Sequence, residues 1–139
     1  MSMTMHINIV SAEQEIYSGT VTQVFAPAEM GEVGVMPRHA PMLSTLKPGV
    51  VRVISQEGEE QSFFVSGGIL ELQPHVVTIL SDTALRAADI DESAAMEAKA
   101  RAEAAMSDRA SDMDYAKAKS ELIEAVAQIE ALKKIRKRK

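Results

Sequence analysis

Two hydrophobic periods divide the chain near residue 86, one typical of β-strands and the other of α-helices. At the start, Met5, Ile7 and Ile9 alternate with polar side chains, which is the period-2 pattern of a half-buried strand. Comparable runs, enriched in Val, Ile, Phe and Thr, follow at 20–26, 42–46, 50–54, 62–65, 69–72 and 76–80. Many short strands without intervening helices predict an antiparallel sandwich or barrel.

Turn-forming residues separate several of these runs. The Lys-Pro-Gly sequence at 47–49 has Pro followed by Gly, as a tight turn favours, and the Glu-Gly pair at 57–58 predicts a hairpin. The Gln-Pro-His sequence at 73–75 interrupts the last pair of runs. We therefore expect an N-terminal antiparallel β-sandwich over residues 1–86.

Residues 87–139 contain neither Gly nor Pro and are rich in Ala, Glu, Lys and Met, all strong helix formers. Asp89 and Glu92 have the spacing of a capping box ahead of a first helix, and Ser111 and Asp114 repeat it ahead of a second. The polar segment 107–112 between them predicts a turn. We therefore expect a C-terminal antiparallel hairpin of two helices over residues 87–139.

The apolar stripes of the two predicted helices differ in size. The second helix offers Tyr115, Ala118, Leu122, Ala125, Ile129 and Leu132. The first offers mostly alanines, Ala94, Ala98, Ala102 and Ala105, behind Ile90. Because an alanine seam buries little apolar area, we expect the hairpin to be held loosely on the sandwich and to be suited to changing position.

Composition narrows the class of protein. The chain is 46% hydrophobic and 25% charged, as in globular proteins, and it has no cysteine, which excludes disulfides, thiolate zinc sites and thiol nucleophiles. No apolar run approaches the ~20 residues that span a bilayer, and the N-terminus has no signal-peptide pattern. We expect a cytoplasmic protein that meets a membrane only through another protein.

Charge is unevenly distributed along the chain. The formal net charge is −5, yet the last seven residues carry six positive charges, so the preceding part is strongly acidic. Such a basic tail suggests an acidic partner. An acidic body without a basic face argues against nucleic-acid binding, since residues 1–86 contain nine acidic and four basic residues.

A search for catalytic and metal-binding patterns finds none. His6, His39 and His75 are not at metal-ligand spacing, and the Ser-Gly-Gly sequence at 66–68 lacks the frame of a nucleophile elbow, so a turn or bulge is our interpretation of its glycines. The glycine-rich segment 31–34 lacks the Gly-Lys-Ser/Thr ending of a phosphate loop. The sequence therefore predicts a binding module rather than an enzyme.

Six stretches, in the same order, resemble the epsilon subunit family of F-type ATP synthases, whose mitochondrial counterpart is called delta. They are Ile-Val-Ser-Ala-Glu at 9–13, Gly-Glu-Val-Gly-Val-Met-Pro-Arg-His-Ala-Pro at 31–41, Leu-Lys-Pro-Gly at 46–49, Val-Ser-Gly-Gly-Ile-Leu-Glu-Leu at 65–72, Ile-Leu-Ser-Asp-Thr-Ala at 79–84 and Asp-Met-Asp-Tyr at 112–115. The resemblance covers nearly the whole chain and implies the same two-part fold.

The resemblance implies a non-catalytic rotor subunit of a proton-translocating ATP synthase at the cytoplasmic face of the bacterial inner membrane. In the family, the sandwich binds the gamma subunit and rests on the c-ring. The hairpin folds onto the sandwich or extends along gamma into the alpha/beta catalytic head, where it blocks ATP hydrolysis. The loop that bears Glu32 and His39 faces the ring in the family, so the resemblance implies c-ring contacts for both. Arg38 stands immediately before His39, at a position where the family often has glycine.

Contacts with the catalytic head are implied for the basic residues of the hairpin, because the family's C-terminal helix meets an acidic segment of the catalytic β subunits. These residues are Arg109, Lys133, Lys134, Arg136, Lys137, Arg138 and Lys139. The alternative is a solvated helix end whose basic side chains only complement the helix dipole.

Some family members bind ATP in the folded hairpin through an Ile/Leu-Asp-x-x-Arg-Ala motif. The matching or neighbouring residues here are Ile90, Asp91, Ala95 and Arg101. Ala94 stands where the motif has Arg, while Glu124 and Gln128 stand where ATP-binding relatives offer arginines. Because a triphosphate needs several cationic or N–H donors, we expect weak or absent ATP binding and no cofactor.

Two other classes of function stay open on the residues alone. A nucleic-acid-binding module would use the sandwich as a barrel and the basic tail for phosphates, although the few aromatics form no stacking platform. An enzyme of unrecognised type would need a catalytic set that the sequence does not display. Both are weaker explanations than a rotor subunit.

Overall fold

The computed structural model of the chain describes residues 3–107 and 112–137, with side chains for 3–107 and 115–133. The described part has seven strands, and they are β1 (Met5–Ser11), β2 (Glu15–Ala28), β3 (Gly31–Val35), β4 (Met42–Ser55), β5 (Glu60–Leu72), β6 (Val76–Ser81) and β7 (Ala84–Arg86). A 3₁₀ helix, Ala87–Asp89, leads into the helices α1 (Glu92–Ser107) and α2 (Asp112–Lys137).

The strands form one hydrogen-bonded sheet in the order β1-β6-β5-β4-β2-β3, with β7 paired to β5. A further antiparallel pairing between β1 and β2 folds this sheet back on itself, so the predicted sandwich is confirmed in a barrel-like form. One pair departs from the predicted antiparallel arrangement. β1 and β6 run parallel, from His6 opposite Val76 to Ser11 opposite Ser81.

The turn predicted at 47–49 is wrong, because the chain does not reverse there. β4 continues through this segment, where Pro48 pairs with Ser66 and Gly49 pairs with Val65 of β5. The runs predicted at 42–46 and 50–54 are therefore two halves of one long strand. A Pro-Gly pair also suits a bend, since Pro adds no N–H to the ladder and Gly has no side chain. Long strands need such bends where they pass between the layers of a sandwich.

Gly67 and Gly68 occupy the matching part of β5, which also continues through its predicted interruption without a change of register. Both have positive φ, 111° and 132°, and a Cβ on Gly68 would overlap the carbonyl oxygen of Leu80 on β6. Only glycine permits this close approach of two backbones. Beside it, the N–H of Ser66 donates to the carbonyl of Thr83, and the N–H of Thr83 donates to Oγ of Ser66, each at 3.0 Å.

The other two predicted turns are confirmed. At 57–58, Gly58 has a φ of 86° and its N–H donates to the carbonyl of Ser55 at 3.0 Å. At 73–75, the N–H of Gln73 donates to the carbonyl of Val76 at 2.9 Å and closes the connection between β5 and β6. The hydrophobic pattern missed β3 and β7, because β3 contains two glycines and β7 has only three residues.

An aliphatic core fills the space between the layers of the sandwich. Its largest fully buried side chains include Phe63, Ile7, Ile9, Leu70, Leu72 and Ile79. Complete burial of a side chain of this size contributes about 1.5–3 kcal/mol relative to full exposure. Tyr17 packs on the Phe63 ring at a centroid distance of 5.1 Å and covers the core near β7. This core is independent of the helices.

The hairpin begins at a cap different from the predicted one. The Oδ1 atom of Asp91 accepts the N–H of Ala94 at 3.1 Å, so Asp91 is the N-cap of α1. The prediction that Asp89 caps this helix is wrong, because Asp89 ends the 3₁₀ helix and Ile90 follows in an extended conformation, with φ of −72° and ψ of 127°. The extended residue delays the helix by two positions.

Small residues form the seam between α1 and α2, as predicted. The buried members are Ala95, Ala102, Ala118 and Ala125, each at most 3% exposed. Of the stripe predicted on α1, Ala102 is buried and Ala98 is half-buried, whereas Ala94 and Ala105 are exposed and Ala95 is buried in place of Ala94. The predicted cap of the second helix, Ser111, lies outside the described residues. The two-helix hairpin itself is confirmed.

Candidate functional site

A second buried cluster, separate from the main core, joins α2 to the sandwich. We call it the docking cluster, and its buried members are Val50, Phe64, Ala87, Ile90 and Ala131. Leu85, Ala127 and Leu132 are partly buried against it. The contribution of α2 is therefore one leucine and two alanines, which is small for a helix of 26 residues.

The sheet side of the docking cluster is the outer surface of β4 and β5. Val50 and Phe64 are paired across these strands and are 7% and 0% exposed. Because α2 lies over them, both would meet water if the hairpin left the sandwich. In the structure the hairpin is therefore in a folded position, held by the small apolar contact that its alanine-rich sequence predicts.

Arg86 fixes the end of the sandwich from which the hairpin departs. Its Nη1 donates to Oε1 of Gln61 at 3.2 Å and its Nη2 donates to the carbonyl of Ile16 at 3.2 Å. The guanidinium also lies 5.8 Å from the ring centroid of Tyr17. These contacts tie β7 to the sheet, and the segment between Arg86 and the α1 cap connects the sandwich to the hairpin.

One outer face of the sandwich carries four neighbouring apolar side chains that are exposed or half-buried. We call it the apolar face, and its members are Val10, Leu43, Ile69 and Leu80. Leu80 of β6 pairs with Val10 of β1 and with Ile69 of β5, so three of them form one row across three strands. Leu43, Ile69 and Leu80 are 70%, 44% and 46% exposed. A groove of about 290 Å³ lies in this row. Contiguous exposed apolar surface is typical of a protein–protein interface.

Glu32 lies at the start of β3 and takes part in a charged cluster. Its Oε1 accepts a hydrogen bond from Nη2 of Arg52 at 3.4 Å, while Nη1 of Arg52 donates to Oε1 of Glu60 at 3.2 Å. The Arg52 guanidinium stacks on Phe25, 4.4 Å from the ring centroid. Glu32 keeps half of its side chain exposed, so it can meet a partner, but only in competition with Arg52.

His39 lies in the turn after β3. The part of β3 from Glu32 to Val35 is four residues long and spans on the order of 10 Å. Its N–H donates to the carbonyl of Met36 at 3.3 Å, and its Nδ1 donates to the carbonyl of Ala40 at 2.8 Å. The two residues implied as ring contacts therefore have different partners, Arg52 for Glu32 and the backbone of its own turn for His39.

The remnants of the ATP motif have structural roles in the hairpin. Ile90 belongs to the docking cluster, Asp91 caps α1, and Ala95 is buried in the seam. Arg101 lines an open cleft of about 710 Å³ between the helices. The same cleft is lined by Ala94, Ala98, Glu121, Glu124 and Gln128. One cation faces two carboxylates there, which is a poor environment for a triphosphate.

Most of the basic residues implied as catalytic-head contacts have no described side chain. Lys133 is exposed near the end of α2. Lys134, Arg136 and Lys137 continue the same helix, but their side chains fall outside the described part of the chain. Arg109, Arg138 and Lys139 lie outside the described residues altogether. The basic cluster is therefore at the helix end, and its individual contacts stay predictions.

Neither a membrane-spanning helix nor a metal-binding group is found in residues 3–107 and 112–137. No helix in these ranges combines the length and apolar character needed to cross a bilayer. Among the side chains of residues 3–107 and 115–133, no group of three or more His, Cys, Asp or Glu is arranged to hold a metal ion.

Sequence reasoning missed the apolar face and the Glu32–Arg52 pair. The signal for the first was available, because Ile69 precedes buried Leu70 and Leu80 follows buried Ile79. Strands with adjacent apolar residues have two apolar faces, and a two-layer sandwich buries only one of them. The charged pair joins strands 20 residues apart, so no local pattern could indicate it.

Comparison with known proteins gives matches over nearly the whole chain. Residues 4–87 match the family model described as ATP synthase, Delta/Epsilon chain, beta-sandwich domain. Residues 88–133 match the model described as ATP synthase, Delta/Epsilon chain, long alpha-helix domain. The ATP synthase epsilon chain of Nitrosococcus oceani is 64% identical over 138 residues, covering 99% of each chain. That of Thioalkalivibrio sulfidiphilus is 60% identical, covering 99% of this chain and 98% of the relative.

Solved structures with the same fold include chains of two mitochondrial enzymes. One belongs to the cryo-EM structure of the Euglena gracilis mitochondrial ATP synthase, with a TM-score of 0.83 and 21% identity, covering 93% of this chain and 81% of that one. Another belongs to the central stalk and c-ring of the Tetrahymena thermophila mitochondrial ATP synthase, with a TM-score of 0.58 and 12% identity, covering 92% and 96%.

Proposed function

The chain belongs to the ATP synthase delta/epsilon family of central-stalk subunits, and on that premise we propose that it joins the gamma subunit to the c-ring and restrains ATP hydrolysis. Residues 1–86 are the rotor domain and residues 87–139 the regulatory domain. The observation that supports this proposal best is the docking cluster. It is a small contact that joins the hairpin to the sandwich, whereas the sandwich has a much larger core of its own. The working location is the cytoplasmic face of the bacterial inner membrane, through the complex.

The gamma subunit binds the apolar face in this proposal. Val10, Ile69 and Leu80 form a continuous row on strands whose other side is anchored in the main core. A rotor must transmit torque without slipping, and a rigid sheet with exposed apolar side chains suits a permanent interface better than a polar surface does. Leu43, in the neighbouring row, extends the contact.

The c-ring contacts are Glu32 and His39 in this proposal. Glu32 meets the ring as a half-exposed carboxylate that exchanges Arg52 for a partner group, whereas His39 meets it from a hydrogen-bonded turn. The two residues then contact the ring at separate points, since β3 lies between them. Two separated contacts resist rotation of the sandwich on the ring better than one contact does.

The hairpin restrains hydrolysis by leaving the docking cluster and entering the catalytic head. The basic end of α2, together with Arg109 from the sequence between the two helices, then meets acidic groups of the alpha/beta head. Long-range attraction between opposite charges favours this encounter and weakens as salt is added. In the folded position, Leu132 and Ala131 are held on β4 and β5, and the hairpin is inactive.

The test is the ATPase activity of the catalytic complex lacking this subunit, titrated with three forms of the chain. The first is the full chain, the second is truncated after Ala87, and the third carries cysteines in place of Val50 and Ala131. Because the chain has no cysteine of its own, that pair can form only one disulfide within the protein. The disulfide locks α2 on the sandwich.

We expect inhibition by the full chain and none by the truncated chain, although both co-purify with gamma. The oxidised cysteine variant should not inhibit, and its reduction should restore inhibition. Equal inhibition by the full and truncated chains would remove the hairpin from the mechanism. Failure of every form to bind the complex would refute the rotor assignment itself.

A further inference from the structure

The end of the sandwich around Arg38 brings together three chain segments through backbone hydrogen bonds. The N–H of Arg38 donates to the carbonyl of Pro74 at 2.8 Å, and the N–H of His6 donates to the carbonyl of His75 at 2.8 Å. We call this the end surface, and its polar members are His6, Arg38, His39 and His75. All three histidines of the chain are therefore at this end.

Arg38 is held in a backbone conformation that side chains rarely adopt. Its φ is 68°, which makes it the one non-glycine residue with positive φ in the described part of the chain. Positive φ is disfavoured for residues with a Cβ and usually selects Gly or Asn. A residue retained in such a position despite its backbone cost suggests that its side chain has a function.

The Arg38 side chain has no ionic partner within the protein. It is exposed, and within residues 3–107 and 115–133 no carboxylate lies within 4.0 Å of its guanidinium. The other arginines of the sandwich are engaged, Arg52 by Glu32 and Arg86 by Gln61. An exposed guanidinium on a fixed backbone is preorganised to bind an anionic group outside the chain.

The polar residues on the chain segments that meet at Arg38 form no ion pair with it in the described part of the chain. On its own segment His39 donates to the Ala40 carbonyl, and on the 73–75 segment His75 is exposed. Glu71 of β5 is the carboxylate nearest in sequence to that segment, and its Oε1 accepts a hydrogen bond from Gln73 at 3.1 Å. Glu71 is therefore engaged by Gln73, and the Arg38 guanidinium has no ion pair within residues 3–107 and 115–133.

We propose that Arg38 is a specificity-determining residue that binds a carboxylate on the polypeptide loops against which this end rests. The inference depends on the proposed function, since those loops belong to the membrane ring. A carboxylate on protein suits Arg38 better than a lipid headgroup does. Binding to anionic lipid needs clusters of roughly four to eight basic residues, whereas one oriented guanidinium suffices for a bidentate carboxylate pair.

The experiment measures binding of the full chain to the detergent-solubilised complex lacking this subunit, over a range of salt concentrations. A fluorophore is attached to a cysteine in place of exposed Glu57, because no native cysteine competes for the label. The variants are Arg38→Gly, Arg38→Lys and the matched control Lys47→Gly. Lys47 is also exposed and without an ion pair in the described part of the chain. It lies in β4, whereas Arg38 lies in the turn before that strand.

We expect Arg38→Gly to bind at least about tenfold more weakly and with a shallower salt dependence, because this variant loses one charge-assisted pair. Arg38→Lys should be intermediate, and Lys47→Gly should bind like the unmodified chain. The midpoint of thermal unfolding of Arg38→Gly should not fall, because glycine relieves the backbone. Weaker binding then cannot be attributed to misfolding.

Equal binding by Arg38→Gly and the unmodified chain would overturn the inference while leaving the proposed function intact. Binding of the unmodified chain to vesicles of anionic phospholipid alone, lost in Arg38→Gly, would also overturn it, since a headgroup would then be the partner. If the unmodified chain does not bind the complex, the proposed function fails, and this inference fails with it.

Discussion

Replacing Ala131 with Gln should release the hairpin from the sandwich. Ala131 is 0% exposed in the docking cluster, where it lies with Val50 and Phe64. Gln is a strong helix former, so α2 itself should be unaffected. The larger side chain must either displace its neighbours or force the helix away from the sheet.

The magnitudes favour release. On the α2 side, the folded position rests on a partly buried leucine and two alanines, which amounts to about 2–4 kcal/mol at ~25 cal/mol per Å² of apolar area. Overpacking costs about 1–3 kcal/mol, and an amide buried without partners costs a further 1–3 kcal/mol or so. The cost of Gln at position 131 is thus as large as the contribution that the α2 side chains make to docking. The undocked fraction should therefore rise by at least about tenfold.

The assay is a distance distribution between two spin labels, on cysteines in place of Glu57 and Lys133. Both side chains are exposed, one on the sandwich and one on α2. We expect the unmodified chain to give one short distance, and Ala131→Gln to add a broad population at longer distances. The same variant should inhibit ATP hydrolysis at a lower concentration.

The matched control is Ala116→Gln, the same change at an exposed position of the same helix. It should leave the distance distribution as it is in the unmodified chain. If Ala131→Gln also gives only the short distance, then the docking cluster is more adaptable than its complete burial indicates. The hairpin could not then be a weakly held regulator, and the reasoning from buried area would be refuted.

Three further predictions concern the sandwich, the cap and the nucleotide. Gly68→Ala should destabilise the sandwich in urea by at least about 3 kcal/mol, since its Cβ overlaps a backbone carbonyl, whereas Gly58→Ala, with positive φ but open space, should cost only about 1 kcal/mol. Equal losses would exclude the steric explanation. Asp91→Ala should destabilise α1 by about 1 kcal/mol, seen as faster amide exchange in its first turn, while Asp89→Ala should change nothing measurable. Calorimetry should detect no micromolar ATP binding by the isolated chain, and Ala94→Arg should strengthen whatever binding exists; micromolar affinity of the unmodified chain would contradict the cleft argument.

The period of the hydrophobic pattern was enough to predict the two-part architecture. Alternation places Met5, Ile7 and Ile9 in one core without any long-range information, and the Ala-, Glu- and Lys-rich sequence after residue 86, which lacks Gly and Pro, favours helices. The pattern failed at 47–49 because Pro-Gly is compatible with both a reversal and a bend. The outcome there is decided by pairing with β5, which is a tertiary interaction.

The candidate site was predictable only where it depends on local sequence. The basic end of α2 and the loss of arginines near the cleft are visible as residue types at helical spacing. The cap was misplaced by two residues, because Asp89 and Asp91 both precede a helical run and only the extended conformation of Ile90 selects the second. The apolar face needs the register of three strands, since Val10, Ile69 and Leu80 come from distant segments.

The proposed regulatory role needs two parts of the chain whose stabilities differ greatly. The sandwich rests on a core with many fully buried large side chains, whereas the docking cluster that joins α2 to the sandwich is much smaller. Because most of the buried apolar area of the sandwich lies outside this cluster, the hairpin can leave while the sandwich stays folded. After release, α2 can persist as a helix, because its 26 residues exceed the ~12–15 needed for marginal helicity in water. The same weakness that makes the hairpin a poor structural element therefore makes it a usable switch, and a larger apolar residue at 127, if it fitted the cluster, would strengthen docking and silence inhibition.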